Sequence, residues 1–346
     1  MNRVDILTRN VEETVTLEEL EHVLEQEKPK GYIGFEPSGT VHLGWKICTN
    51  KIKDFLACDF DFTVLLADWH AYINDKLGGN IDQIKLCGKY MEDCFAAMGV
   101  DTAKIHFVYA SDYIGDKRYW EMVLKTSKAT SVARVKRAMD IMGREGEEAE
   151  KDLSKLFYPV MQVSDIFYLG VQVAYGGTDQ RHAHMLARDV SKKLGWKPPV
   201  AIHTPLLTGL QAGSRMDSIE NKMSKSKPDS MISIHDDAET VKRKISKAYC
   251  PDKQVAGNPI LEICKYIIFP ELRDEQFLIE RPEKYGGDLE FASYTSLEEA
   301  YRGGLHPLDL KNTVTTYVNR LLEPIHNYFK NHPERYESIR QLGLLQ

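Results

Sequence analysis

Three stretches of the chain combine residue types suited to chemistry on phosphates and polar ligands. The first is GYIGFEPSGTVHLGW (31–45). It reads as a short strand, a turn of small residues and a helix that starts near His42. Small residues let the backbone approach a nucleotide, and a helix N-terminus offers unpaired N–H groups and a positive dipole end to phosphate. His42 can donate to a phosphate oxygen, and Gly44 leaves room for an adenine ring or ribose. Taken alone, the pattern is equally an ordinary strand–turn–helix with a histidine near its cap. The second stretch is Asn221-Lys222-Met223-Ser224-Lys225-Ser226-Lys227, inside a polar loop spanning 209–230. Lys222 and Lys225, with the hydroxyls of Ser224 and Ser226, suit a triphosphate whose charge must be held during phosphoryl chemistry. A solvated basic loop is the commoner meaning of such a pentapeptide.

The third stretch is LFYPVMQVSDIFYLG (156–170). It spaces Tyr158, Gln162 and Asp165 at i, i+4 and i+7, which is one face of a helix. Leu156, Val160, Val163 and Phe167 form the adjoining apolar stripe. The polar stripe contains no Lys or Glu, so it suits the wall of a pocket for a polar, aromatic ligand; a solvated face is the alternative.

The elements that must position these residues alternate. Thr16 and Glu19 form a capping box for a helix whose apolar face is Leu17, Leu20, Val23 and Leu24, and Pro29 ends it. Strands are expected at 31–35, 61–68, 105–110 and 171–177. Helices are expected from about 42, over 81–98, 116–128 and 156–169, and from 179 to 194. Such alternation argues for an α/β domain with a parallel sheet. A stretch at about 112–155, with Arg134, Lys136 and Arg137 followed by GEEAEKD, breaks the rhythm and reads as a helical insertion between two halves of the sheet. Beyond about 235 strand signals fade. Helical stretches follow near 237–249, 258–269, 295–301, 307–330 and 333–344. The reading is an α/β domain over 1–235 and an all-α C-terminal domain over 236–346.

Composition sets bounds. A chain of 346 residues that is 42% hydrophobic can bury the cores of about two domains. The net charge is −6, so bulk electrostatics do not announce nucleic-acid binding; DNA is not expected as a partner, and any RNA contact must use local basic patches. Six cysteines include no CxxC pair, which disfavours a zinc ribbon or a redox motif and fits inert thiols in a reducing cytosol. No signal-peptide pattern is present, and no apolar run approaches the ~18 residues of a membrane span. The expectation is a soluble cytoplasmic protein with no membrane partner.

The pairing of HxGx early in an α/β domain with KMSKS about 180 residues later resembles the two signatures of class I aminoacyl-tRNA synthetases. YIGFEPSG, LLADWHAY, YPVMQVSDI, GGTDQRHAHMLAR, KAYC and LHPLDLKN are similar, over nearly the whole chain, to the archaeal and eukaryotic tyrosyl-tRNA synthetases. The resemblance implies a Rossmann-like catalytic domain that joins tyrosine to ATP as an adenylate and passes it to tRNA. It implies that Tyr32 and Asp165 hold the phenolic hydroxyl of tyrosine, that Tyr158, Gln162 and Gln180 surround its α-amino group, and that Gly34 and His70 lie near the ring and adenylate. Glu36 and Asp179 are further pocket candidates. A buried carboxylate left unpaired by phenylalanine is a strong basis for rejection, and this family is itself the standard example of the effect. One departure from the motif is Trp45, which stands where the usual tetrad ends in histidine. His42 and the loop lysines would then carry the phosphate contacts.

For tRNA, the resemblance implies that Arg137 and Arg181 read the first base pair of the acceptor stem, that Tyr285 stacks on the first anticodon base, and that Asp309 accepts hydrogen bonds from that base with His306 nearby. It also implies a homodimer formed through the insertion. ATP is a substrate, with Mg²⁺ accompanying it and no dedicated protein ligand cluster. A tryptophanyl-tRNA synthetase shares the fold, but the Tyr32/Asp165 pair argues against it. A paralogue that only binds RNA is disfavoured by Tyr158, Gln162, Asp165 and Gln180, and a HIGH-type nucleotidyltransferase without tRNA by the C-terminal domain.

Overall fold

A computed structural model describes residues 2–140, 152–211, 223, 228–272 and 275–345. The chain divides into two compact units. One comprises Met1–Gly39, Lys51–Pro205 and Glu337–Leu345; the other comprises Thr40–Asn50 and Leu206–Tyr336. The boundary expected near 235 therefore falls inside the second unit, which also holds the short His42 segment.

The first unit is built on a six-stranded sheet. Its strands are β1 (Glu13–Val15), β2 (Lys30–Phe35), β3 (Asp61–Leu66), β4 (Ile105–Tyr109), β5 (Val173–Gly177) and β6 (Val200–Thr204), in the spatial order β1-β6-β5-β2-β3-β4. All neighbours are parallel except the edge pair β1–β6. Central strands of such a sheet are covered on both faces and read as apolar runs, as Tyr32–Ile33 and Val64–Leu66 do. The expected strands and helices are present, and the capping box at Thr16 and Glu19 opens the Leu17–Leu24 helix. The insertion is helical where described, with helices Lys117–Ala129 and Val132–Asp140 between β4 and β5; residues 141–151 lie outside the described residues. Two strands were not legible. In β6 a histidine interrupts an otherwise apolar run, and β1 is three residues long and half-exposed.

Strand order reverses between β2 and β5. In open α/β sheets, the crevice outside the carboxyl ends of the strands at such a point is where ligands bind. Tyr32 faces Ala174 across this junction in register, so the topology sets Tyr32 beside the strand that follows the third chemistry-bearing stretch.

The second unit is mostly helical. Its helices include Ala238–Lys247, Pro259–Ile263, Tyr294–Gly303 and the 25-residue Pro307–Asn331. A short antiparallel ribbon, β7 (Phe277–Ile279) with β8 (Leu289–Phe291), is added to them. Three-residue strands are too short for a period-2 pattern to register, which is why the sequence shows only helices there.

Candidate active site

The Ser154–Tyr168 helix presents Tyr158, Gln162 and Asp165 as their spacing predicts. Asp165 is 1% exposed and Tyr32 2%. The Asp165 carboxylate is not paired with a lysine or arginine among the described residues. Its Oδ1 accepts the hydroxyls of Tyr113 at 2.8 Å and Tyr119 at 2.9 Å. Its Oδ2 lies 3.1 Å from Nε2 of His70, but the groups are not aligned for a hydrogen bond, and Oδ2 and both His70 nitrogens are buried without a partner among the described residues. Burial raises the pKa of Tyr32, Tyr113 and Tyr119, and the charge of Asp165 raises it further. All three phenols are therefore neutral, and those of Tyr113 and Tyr119 are the donors to Oδ1. A buried carboxylate with a saturated Oδ1 and an orphaned Oδ2 retains one strong acceptor position, beside Tyr32 and His70.

Further along the face, Gln162 Nε2 donates to Gln180 Oε1 at 2.9 Å, and Gln162 Oε1 is buried without a partner among the described residues. Tyr158 packs edge-on against His70 with ring centroids 5.0 Å apart. Gln180 closes the single turn Thr178–Gln180 directly after β5. That turn depends on Gly176: a Cβ there would stand 2.9 Å from both Cβ and Cγ of Gln180. Gly34 differs. It is exposed at the end of β2, and a Cβ on it would meet only Tyr32 at 3.8 Å and Leu65 at 4.0 Å. No described protein atom requires glycine at that position. Glu36 accepts from Asn74 and lies 3.7 Å from Lys76 Nζ, so it is tied to the loop after the Asp68–Ile73 helix. Asp179 sits part-buried in the Thr178–Gln180 turn.

Tyr113 and Tyr119 were missed by sequence reasoning. They lie in and after the turn that follows β4, about 50 residues before Asp165, and no local pattern points their hydroxyls at it.

Arg181 opens the Arg181–Leu194 helix, and Arg137 is exposed in the last turn of Val132–Asp140. Both act on His182. Burial lowers that imidazole's pKa, and Arg134, Arg181 and Arg137 lower it further. Both arginines are thus within electrostatic reach of one histidine.

In the second unit the structure corrects one expectation. The helix starts at Trp45, not His42. His42 precedes it, and its Nδ1 accepts the N–H of Gly44 at 3.1 Å. Gly44 is needed for that contact, because a Cβ would stand 2.8 Å from Cε1 of His42. The segment is fixed from behind: Leu43 N–H donates to Ile232 at 2.8 Å, and His42 pairs antiparallel with Ser233. Lys222, Ser224, Lys225 and Ser226 lie outside the described residues; Met223 between them is buried and donates its N–H to Leu207 at 2.7 Å. Tyr285 is 62% exposed in the turn between β7 and β8. His306 caps the Pro307–Asn331 helix by accepting the Leu308 N–H at 3.2 Å, and Asp309 lies in that helix's first turn. Among the described residues no group of three His, Cys, Asp or Glu could hold a metal ion, and no helix is long and apolar enough to cross a membrane.

A chain with a parallel sheet, a helical insertion and a helical second unit has counterparts among known proteins. A family model described as class I tRNA synthetases (W and Y) matches residues 24–323, and the chain belongs to that family. Its relatives narrow the branch. It is 52% identical over 342 residues to a tyrosine–tRNA ligase of Sulfurisphaera tokodaii, covering 96% of this chain and 93% of the relative. It also resembles the crystal structure of a tyrosyl-tRNA synthetase complexed with L-tyrosine from Pyrococcus horikoshii, at 42% identity and a TM-score of 0.91 over 99% of this chain and all of that one. The corresponding tyrosine complex from Archaeoglobus fulgidus matches at 44% identity and a TM-score of 0.85, over 94% of this chain and 98% of that one.

Proposed function

We propose that this chain is a ligase that activates L-tyrosine with ATP and transfers it to the 3′ end of the matching tRNA. The observation that carries the amino-acid choice is the orphaned Oδ2 of buried Asp165 beside Tyr32 and His70. A phenolic hydroxyl donating to Oδ2 satisfies it; phenylalanine leaves it unpaired. Gln162 Oε1 and Tyr158, one and two helical turns back from Asp165, face the α-amino end with Gln180. Gly34, exposed and without steric cause, gives the ring and the adenylate close access to the backbone of β2.

The chemistry needs no side-chain nucleophile. The tyrosine carboxylate oxygen attacks the α-phosphorus of ATP, the bond from that phosphorus to the bridging oxygen breaks, and pyrophosphate leaves. A terminal ribose hydroxyl of tRNA then attacks the tyrosyl carbonyl, and AMP leaves. The protein positions the reactants and stabilises charge. His42, Gly44, Lys222, Ser224, Lys225 and Ser226 serve the phosphates in this reading, and Mg²⁺ arrives with the nucleotide.

Arg137 and Arg181 meet the acceptor stem, and Tyr285, His306 and Asp309 meet the anticodon. Trp120 and Leu124 on one insertion helix, with Val132 at the start of the next, are large exposed apolar groups. Such a patch fits burial against a second copy of the chain. All six cysteines are free, as suits a cytoplasmic enzyme. Pyrophosphate exchange with all twenty amino acids tests the reading: exchange driven by tyrosine alone supports it, and exchange driven by another amino acid in preference to tyrosine refutes it.

A further inference from the structure

Arg181 is held by a constellation that the reaction itself does not require. Its Nε donates to both carboxylate oxygens of Glu13, at 2.9 and 2.7 Å. Both contacts use Nε, and no described residue takes either Nη nitrogen. The guanidinium is therefore fixed in plane and direction while its two-pronged Nη edge remains open. That edge is the one that grips a guanine edge or a phosphate in bidentate fashion.

Glu13 is backed in turn. It lies on β1 directly opposite His203 of β6, and cross-strand partners share a face. Nδ1 of His203 lies 3.4 Å from Glu13 Oε1, in contact but without a hydrogen bond. On its other side, Nε2 of His203 lies 2.9 Å from Nδ1 of His184, and the rings stack at 5.1 Å. Both imidazoles are buried, and burial lowers the pKa of each. Burial thus disfavours an imidazolium here, and the cation that hydrogen-bonds Glu13 is Arg181. His184 also closes on the turn that carries Gln180: a Cβ on Gly176 would stand 3.3 Å from its Cε1 and 2.9 Å from Gln180.

We infer that Glu13, backed by the stacked His203–His184 pair, is the positioning residue that presents Arg181 to the acceptor stem of tRNA. This rests on the reading of Arg181 as a contact to the first base pair. Glu13 touches no substrate; it acts by removing the freedom of a long side chain before tRNA arrives, so that little ordering remains to be done on binding. Because Gln180 and Arg181 are consecutive, one short turn carries both the amino-acid contact and the tRNA contact, and the His184–His203–Glu13 column supports it from behind.

The test uses the full-length enzyme with tRNA transcripts carrying the cognate or an exchanged first base pair. Arg181→Ala sets the scale, with an expected loss of about 5- to 150-fold in kcat/KM for the cognate transcript. Glu13→Gln keeps the shape but removes the charge. It should raise KM for tRNA several-fold and narrow the preference for the cognate first pair. It should leave unchanged the rate of adenylate formation measured without tRNA, which serves as the internal sign of an intact fold. The double variant should be no worse than Arg181→Ala, since both act through one guanidinium. Unchanged first-pair selectivity in Glu13→Gln, alongside a loss in Arg181→Ala, overturns the proposal, as do losses that simply multiply in the double variant. If Arg181→Ala itself has no effect on the first pair, the reading of Arg181 fails and the proposal falls with it.

Discussion

On the proposed function, replacing Asp165 by asparagine isolates the contact that selects the amino acid. Alanine is a poorer probe, because Oδ1 accepts two tyrosine hydroxyls, and deleting it strands two buried donors at about 1–3 kcal/mol each. The asparagine side chain, by contrast, keeps a carbonyl oxygen for Tyr113 and Tyr119 and changes only the group beside His70. A hydrogen bond to a buried charged acceptor contributes about 1.5–3 kcal/mol, against about 0.5–1.5 for a neutral pair. The wild-type site offers tyrosine the charged bond through Oδ2; Asp165→Asn offers at best the neutral one. The preference for tyrosine over phenylalanine should therefore fall by about 1–2 kcal/mol, or roughly 5- to 30-fold, at about 1.36 kcal/mol per decade. Most of the fall should come from slower tyrosine activation, since phenylalanine never made the contact and is relieved of facing an unpaired charge. Pyrophosphate exchange at subsaturating concentrations of each amino acid measures the ratio, and thermal unfolding checks the fold. A folded Asp165→Asn enzyme with an unchanged tyrosine-to-phenylalanine ratio would refute the assignment of Oδ2 to the substrate hydroxyl.

Tyr113→Phe and Tyr119→Phe should each destabilise the protein by about 1–3 kcal/mol in urea unfolding, because each removes a donor from a buried carboxylate. Both should also weaken tyrosine binding, as an Oδ1 short of donors competes for the substrate hydroxyl. His235 should make the protein acid-sensitive. Burial, and then His326, hold its pKa down to about 3, below the ordinary 6.5, so the unfolded chain binds the proton first. Stability should be fully present above about pH 6.5 and decline towards about pH 3, by a few kcal/mol at most, and His235→Phe should flatten that part of the pH profile of the midpoint in urea. Tyr285→Ala with Asp309→Ala should lower tyrosylation of cognate tRNA by about 5- to 150-fold with a much smaller change in pyrophosphate exchange. Equal losses in the two assays would count against an anticodon role.

Much of the site could be read from the sequence because helical spacing is local. Tyr158, Gln162 and Asp165 are linked by the helical period, and one helix carries all three. Tyr32 required one more step, the recognition of a buried strand, and the register with Ala174 at the switch point completes it. What could not be read is nonlocal. The hydroxyls of Tyr113 and Tyr119 reach Asp165 across about 50 residues, and a tyrosine in a turn or on a helix does not declare where its hydroxyl goes. The Glu13–His203–His184 column is nonlocal twice over, since it needs an edge strand from the N-terminus to pair with a strand about 190 residues later. The start of the helix after His42 was misread for a different reason. A histidine followed by Leu-Gly resembles a cap within a helical pattern, yet Gly44 lowers helix propensity there, and the His42 ring folds onto the glycine to make the first turn irregular.

Asp165 is satisfied differently from two buried lysines elsewhere in the molecule. Lys51 is buried and meets Asp54 at 2.9 Å, and Lys244 is buried and meets Asp236 at 2.6 Å; those charges are answered by opposite charge. Asp165 is buried and, among the described residues, answered only by neutral phenols. A cationic partner would have saturated the carboxylate and made it indifferent to what enters. Two tyrosine hydroxyls on one oxygen stabilise the charge enough for the protein to fold, while the other oxygen stays an acceptor in search of a donor. His70 lies beside it, with Nε2 3.1 Å away and no hydrogen bond between them. Partial satisfaction costs stability, and sites that break a local rule in this way are commonly the functional ones. On the proposed function the chemical consequence is direct: the incompletely satisfied carboxylate favours an aromatic ligand only when that ligand carries a hydroxyl.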